Sequence, residues 1–72
     1  MINDINIRIE NAEMNLVETL RDAGAGDYAE DVATYYINEK IVKLDMTIGR
    51  YQFAHGAFLE AAVINRAIEQ VA

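Results

Sequence analysis

Apolar residues in the first third of the chain recur at intervals of three or four positions. They are Ile2, Ile5, Ile9, Ala12, Leu16, Leu20 and Ala23. This spacing places them along one side of an α-helix. Asn3 or Asp4 can cap the start of the helix, and Gly24 can end it. We therefore predict a helix over residues 4–23, while the alternation of apolar and polar residues over 5–9 is also compatible with a short strand.

Two further helices are predicted, over residues 28–42 and 47–71. The second helix has apolar residues on two nearly opposite sides, so we expect it to lie between two layers. The third is weakened by Gly49 and Gly56, and a break at Gly56 would divide it in two. Residues 1–72 are thus predicted to form one all-α domain, a three-helix bundle, or a four-helix bundle if the last helix is divided.

An alternating pattern later in the chain leaves a second fold open. Val42, Leu44, Met46 and Ile48 alternate with polar residues, a pattern that is typical of a strand. A strand over 42–48 would pair with one over 5–9. The minor alternative is therefore an α+β fold that contains this two-stranded ribbon.

The chain has 72 residues and no cysteine, so no disulfide can stabilise it. Its stability then depends on helix packing or on self-association, and the two apolar sides of the second helix lead us to expect a homo-oligomer. The lack of cysteine fits a reducing compartment, and no apolar signal segment follows Met1. The longest uncharged run, residues 51–59, is too short to span a bilayer. We expect a cytoplasmic protein that does not enter a membrane.

Acidic residues are concentrated at the start of the chain, which has a formal net charge of −6. The first 31 residues carry eight acids and two arginines, and in the remainder four acids balance four bases. This excess of negative charge repels phosphate groups, so we do not expect direct binding to nucleic acids or to anionic membranes. A protein partner with a basic surface is the fitting complement.

The sequence offers little for catalysis. It contains no serine or cysteine and a single histidine, His55, so the common nucleophilic triads cannot be assembled. His55 lacks a Glu or His at the spacing of a helical metal motif, and we interpret it as a helix-end or packing residue. The glycines form no phosphate-binding loop, and no EF-hand spacing occurs. We predict no enzyme activity, no catalytic residue, no metal and no cofactor.

The features that remain are apolar and acidic surfaces. On an ideal helix, Ile7 and Met14 lie one heptad apart on the side away from the core. Together with acidic and aromatic residues they form the predicted partner contacts, which are Ile7, Met14, Glu10, Glu18, Asp22, Tyr35, Tyr36 and Phe53. We expect a small regulatory or inhibitory module that docks an apolar helical face edged with acids onto a partner protein. Two alternatives are a phage-type mimic of nucleic acid and a structural subunit of a homo-oligomer or larger assembly.

Overall fold

The computed structural model describes residues 2–53 and 59–72. Its helices and strands are α1 (Ile2–Leu20), α2 (Ala29–Asn38), β1 (Val42–Asp45), β2 (Arg50–Phe53) and α3 (Ala61–Val71). A π-helical turn, Arg21–Ala25, and a 3₁₀ turn, Gly26–Tyr28, connect α1 to α2. The molecule is a small α+β fold in which a two-stranded antiparallel hairpin packs on the helices. The prediction of an all-α three-helix or four-helix bundle is therefore wrong.

The hairpin occupies a part of the chain where a helix was expected. Its register pairs Val42 with Phe53 and Leu44 with Tyr51. These four side chains lie on one face of the ribbon, because every second residue of a strand points to the same side. Val42 is buried and the other three are half-buried. Because one face of the ribbon is buried, the alternation of apolar and polar residues fits this part of the chain better than a helical spacing does.

The minor α+β alternative placed a strand correctly at the start of 42–48 but gave it the wrong partner. β1 pairs with β2, and residues 5–9 lie within α1. Only residues 46–49 separate the two strands, and a short connection costs less chain entropy than a long one. Gly49 has a φ of +67°, and its N–H donates a hydrogen bond to the Asp45 carbonyl at 2.8 Å. The glycine that weakens a predicted helix therefore closes a turn.

α2 ends at Asn38, short of the predicted boundary at about residue 42. Lys40 adopts the left-handed backbone conformation, with a φ of +58°. The N–H of Ile41 donates to the carbonyl of Tyr36 at 2.9 Å, and the N–H of Lys40 donates to that of Ile37 at 3.2 Å. These two bonds form a Schellman motif, which ends a helix and redirects the chain. The chain consequently enters β1.

The other predicted helix boundaries agree in part with the structure. α1 ends at Leu20, and Gly24 in the following turn has a non-helical φ of +117°, as expected for a residue that ends a helix. Among the described residues, the helix predicted over 47–71 is present as α3, Ala61–Val71, while β2 occupies Arg50–Phe53 in its first half. The break predicted at Gly56 lies outside the described residues.

The core is one cluster of buried apolar side chains. Its members are Leu16, Leu20, Ala25, Ala29, Val32, Ala33, Tyr36, Val42, Ile64 and Ala67. α2 contacts α1 and α3, and its apolar residues are buried or half-buried within one chain. This confirms that α2 lies between two layers. It also means that the two-sided pattern of α2 does not by itself require a second copy.

Candidate functional site

An open groove of about 460 Å³ lies between α1 and α2. It is lined by Glu10, Glu13, Met14, Val17, Glu18, Arg21, Glu30, Ala33, Thr34 and Ile37. Ala33 is buried, Val17 and Ile37 are half-buried, and the other lining residues are exposed. The groove therefore has an apolar floor and a rim that is open to solvent. We call it the α1–α2 groove.

The rim of the α1–α2 groove is acidic. Its described lining includes four glutamates and one arginine, Arg21. Like charges along a concave surface reinforce one another and attract a ligand of opposite sign. The hydroxyl of Thr34 donates to the carbonyl of Glu30 at 3.2 Å, so its hydrogen atom is engaged within α2. The groove offers apolar contact at the floor and carboxylates at the rim.

The lining residues follow the spacing of a coiled-coil seam on both helices. Along α1 and the first residue of the turn that follows it, they include Glu10, Met14, Val17 and Arg21, which are four, three and four positions apart. On the α2 side they include Glu30, Thr34 and Ile37, which are four and three positions apart. Side chains with this spacing lie in a line along one side of a helix. Two such lines form the walls of the groove.

Three of the predicted contact residues lie on this surface. Glu10, Met14 and Glu18 line the groove. Ile7 precedes Met14 by one heptad on α1, and the two side chains are 53% and 61% exposed. Their exposure agrees with the predicted position away from the core. Asp22 is also exposed, but it lies in the π-helical turn and is not among the lining residues.

The three predicted aromatic contact residues lie elsewhere. Tyr36 is 0% exposed and belongs to the core, so the surface we propose omits it. Phe53 is half-buried and packs against the core from β2. Tyr35 is half-buried and lines a second recess, of about 320 Å³, whose lining also includes Val71 at the end of α3. Burial in the core thus accounts for Tyr36, while the half-buried Tyr35 and Phe53 do not line the groove.

The floor of the groove was missed at the level of sequence. Val17, Ala33 and Ile37 were not among the predicted contacts. The seam spacing that links Val17 to Met14 and Ile37 to Thr34 is visible in the sequence. It becomes meaningful only when α1 and α2 are known to lie side by side, as the contacts between the two helices establish.

Apolar side chains are also exposed away from the groove. They are Ile5, Ile7, Tyr28, Met46, Ile48 and Leu59. Ile5 belongs to the apolar stripe predicted to face the core, yet it is 51% exposed. The described side chains of α1 before Ile9 are all exposed, and full burial begins at Ala12. The stripe therefore extends beyond the core that covers its second half.

Tyr51 lies on β2, which packs on α1, and the α1 residue Glu13 acts on it electrostatically. Burial raises the pKa of the Tyr51 hydroxyl above its usual value of 10.0, and the Glu13 carboxylate raises this pKa further. Burial also raises the pKa of Tyr36. Glu13 therefore acts electrostatically on the hairpin as well as on the groove that it lines.

The described residues show no metal centre and no membrane span. In 2–53 and 59–72, no three His, Cys, Asp or Glu side chains are grouped so that they could hold a metal ion. His55 lies outside these ranges. In the same ranges no helix has both the length and the apolar character needed to cross a bilayer.

Comparisons of this chain with protein-family models, with curated proteins and with solved structures found no match.

Proposed function

We propose that the protein is a non-catalytic module that regulates or inhibits a partner protein by binding it through the α1–α2 groove. The observation that supports this proposal is that an apolar floor and four carboxylates share one open surface. Burial of apolar area supplies affinity, at roughly 25 cal/mol per Å². Charges around such a contact accelerate association and select a partner of complementary charge. The partner therefore presents a basic and partly apolar surface.

The chemistry of the groove supports binding over catalysis. A carboxyl group that serves as a general acid is normally buried, whereas Glu10, Glu18 and Glu30 are exposed. The sequence contains neither serine nor cysteine, and the hydroxyl of Thr34 already donates to a backbone carbonyl. These groups suit the solvated rim of a contact surface.

The test compares two charge-reversed variants that have the same net charge. One carries Glu10→Lys and Glu18→Lys, and the other carries Asp22→Lys and Asp27→Lys. Each replacement adds two units of charge, so both variants change from −6 to −2. All four residues are exposed, but only Glu10 and Glu18 line the groove.

Partners retained from a lysate of the producing cells are identified by mass spectrometry, and association rates of the purified pair are then measured at several salt concentrations. Exposed charges are screened over about 8 Å at physiological ionic strength, so distant charges contribute less than contacting ones. We expect the groove variant to slow association more than the control variant. Equal effects would show that charge acts only at long range and would remove the groove from the proposal.

A second candidate function is mimicry of nucleic acid. It is favoured by the exposure of all eight acids in residues 4–31. A mimic uses carboxylates in place of phosphates and has no need of an apolar floor. In that case Met14→Glu would leave binding unchanged, and the Asp22 and Asp27 reversals would matter as much as those in the groove. Competition by a short DNA duplex provides an independent measurement.

A further inference from the structure

We infer that the partner enters the α1–α2 groove as a single α-helix that is apolar along one side and basic at its flanks. This inference rests on the proposed function. Each wall of the groove has the four-three spacing by which helices hold a neighbouring helix. A helix laid between the walls would place its apolar side chains among Met14, Val17 and Ile37.

The groove also sets the length of the helix that it can hold. Eleven positions separate Glu10 from Arg21, which corresponds to about 16 Å of helix, or three turns. On α2, seven positions separate Glu30 from Ile37, which corresponds to about 10 Å, or two turns. A segment of about three turns would therefore contact both walls along their full length.

The charge around the groove selects among helical occupants. Carboxylates of Glu10, Glu18 and Glu30 stand at the rim, where lysine or arginine side chains at the flanks of the bound helix would meet them. A second copy of this chain suits the groove less well, since two molecules that each have a net charge of −6 repel one another at long range.

The backbone of the groove argues against an extended peptide. An extended peptide that adds a strand to a sheet gains affinity by hydrogen bonding to the open edge of that sheet. The walls of this groove are α-helices, whose interior backbone groups already bond to one another. Side-chain packing is therefore the available contact, and packing between lines of side chains is how helices associate.

Synthetic peptides test the inference directly. The first is a crosslinked helix of about 15 residues, a length that suits a helix in water, with leucines at three-four spacing and lysines at the flanks. The second has the same composition except for a central proline and no crosslink, and the third has every lysine replaced by glutamate. Binding to the complete protein is measured by fluorescence anisotropy. We expect the first peptide to bind and the other two to bind at least about tenfold more weakly.

Two protein variants show where the peptide binds. Met14 and Ile7 are similarly exposed on α1 and one heptad apart, but only Met14 lines the groove. Met14→Glu and Ile7→Glu add the same charge. We expect Met14→Glu to weaken binding of the crosslinked peptide by about tenfold or more, and Ile7→Glu to change it by less than about threefold.

The failures of the two proposals are distinguishable. Equal binding of the proline peptide would overturn the helical occupant and leave a basic partner in place. Equal binding of the acidic peptide, or no binding of any basic peptide, would overturn the proposed function as well. Equal loss with Ile7→Glu would extend the contact along α1 beyond the groove and overturn the groove as the binding site. A doubled mass in light scattering that Met14→Glu abolishes would assign the groove to a second copy.

Discussion

Replacement of Gly49 by alanine separates the observed hairpin from the helix expected over 47–71, because the two structures give effects of opposite sign. In a helix interior, alanine is about 1 kcal/mol more favourable than glycine, so the variant would be more stable. In the hairpin, Gly49 has a φ of +67°, and this left-handed backbone conformation destabilises a residue with a side chain by about 1–2 kcal/mol. Apart from its two chain neighbours, no heavy atom of the described residues lies within 4 Å of the added Cβ, so the expected cost comes from the backbone conformation.

Chemical denaturation followed by circular dichroism measures this difference. We expect the free energy of unfolding to fall by about 1–2 kcal/mol, a large share of the roughly 5–15 kcal/mol that stabilises a small domain. Gly49→Asn is the matched control, since asparagine tolerates the left-handed region better than alanine, and it should lose less. A gain in stability for Gly49→Ala would refute the turn and support a helix at this position.

Other measurements test the end of α2, the core and the hairpin contact. Lys40→Gly should raise the free energy of unfolding by about 1 kcal/mol, because Lys40 has a φ of +58° that glycine adopts without strain. A decrease in this free energy would mean that α2 continues through residue 40. In denaturation, Ile64→Ala should lower the free energy of unfolding by about 2–5 kcal/mol, since Ile64 is 1% exposed. Ile7→Ala should lower it by less than about 0.5 kcal/mol, and a large decrease would contradict the exposure of Ile7. Above pH 10.0, stability should decrease with rising pH, because the raised pKa of Tyr51 makes the unfolded chain release this proton first. Glu13→Gln should lower the pKa of Tyr51 in a titration followed by tyrosinate absorbance. An unchanged pKa would show that the Glu13 carboxylate does not act on the Tyr51 hydroxyl.

The first helix was predictable because its apolar spacing corresponds to real packing. Ala12, Leu16 and Leu20 are buried on one side, as the spacing indicated. The same spacing continues to Ile5, which is exposed. Periodicity shows which side of a helix is apolar, but the reach of the core depends on the elements that pack against that side. A single helix cannot supply that information.

The hairpin was harder to predict because its residues fit two patterns. Tyr51 and Phe53 alternate with polar residues, yet Tyr51 also fits the apolar face of a helix that continues toward the C-terminus. The left-handed conformations of Gly49 and Lys40 decide between the two patterns. Glycine gives some indication of such a conformation, but lysine gives none. The end of α2 therefore could not be located from residue types alone.

The candidate site was predictable only where it depends on one helix. The positions of Glu10, Met14 and Glu18 on α1 follow from helical geometry, so their exposure could be anticipated. Ile37 joins them because of the way α2 packs beside α1, which is a tertiary property. Tyr36 was assigned to the surface because aromatic residues are common in contacts, but they are equally suited to a core.

Partner binding and self-association place different demands on the surface of this molecule. The homo-oligomer expected from the sequence remains a prediction, and the apolar residues of α2 that motivated it are buried or half-buried within one chain. Outside the groove, exposed apolar side chains occur in the first turns of α1 and at the hairpin turn, among them Ile5, Ile7 and Ile48. Residues 2–9 carry one acid and one base, so a second copy is not repelled there as it is at the acidic groove. An oligomer built on that neutral surface would leave the groove open, and a mutation that abolishes one association need not affect the other.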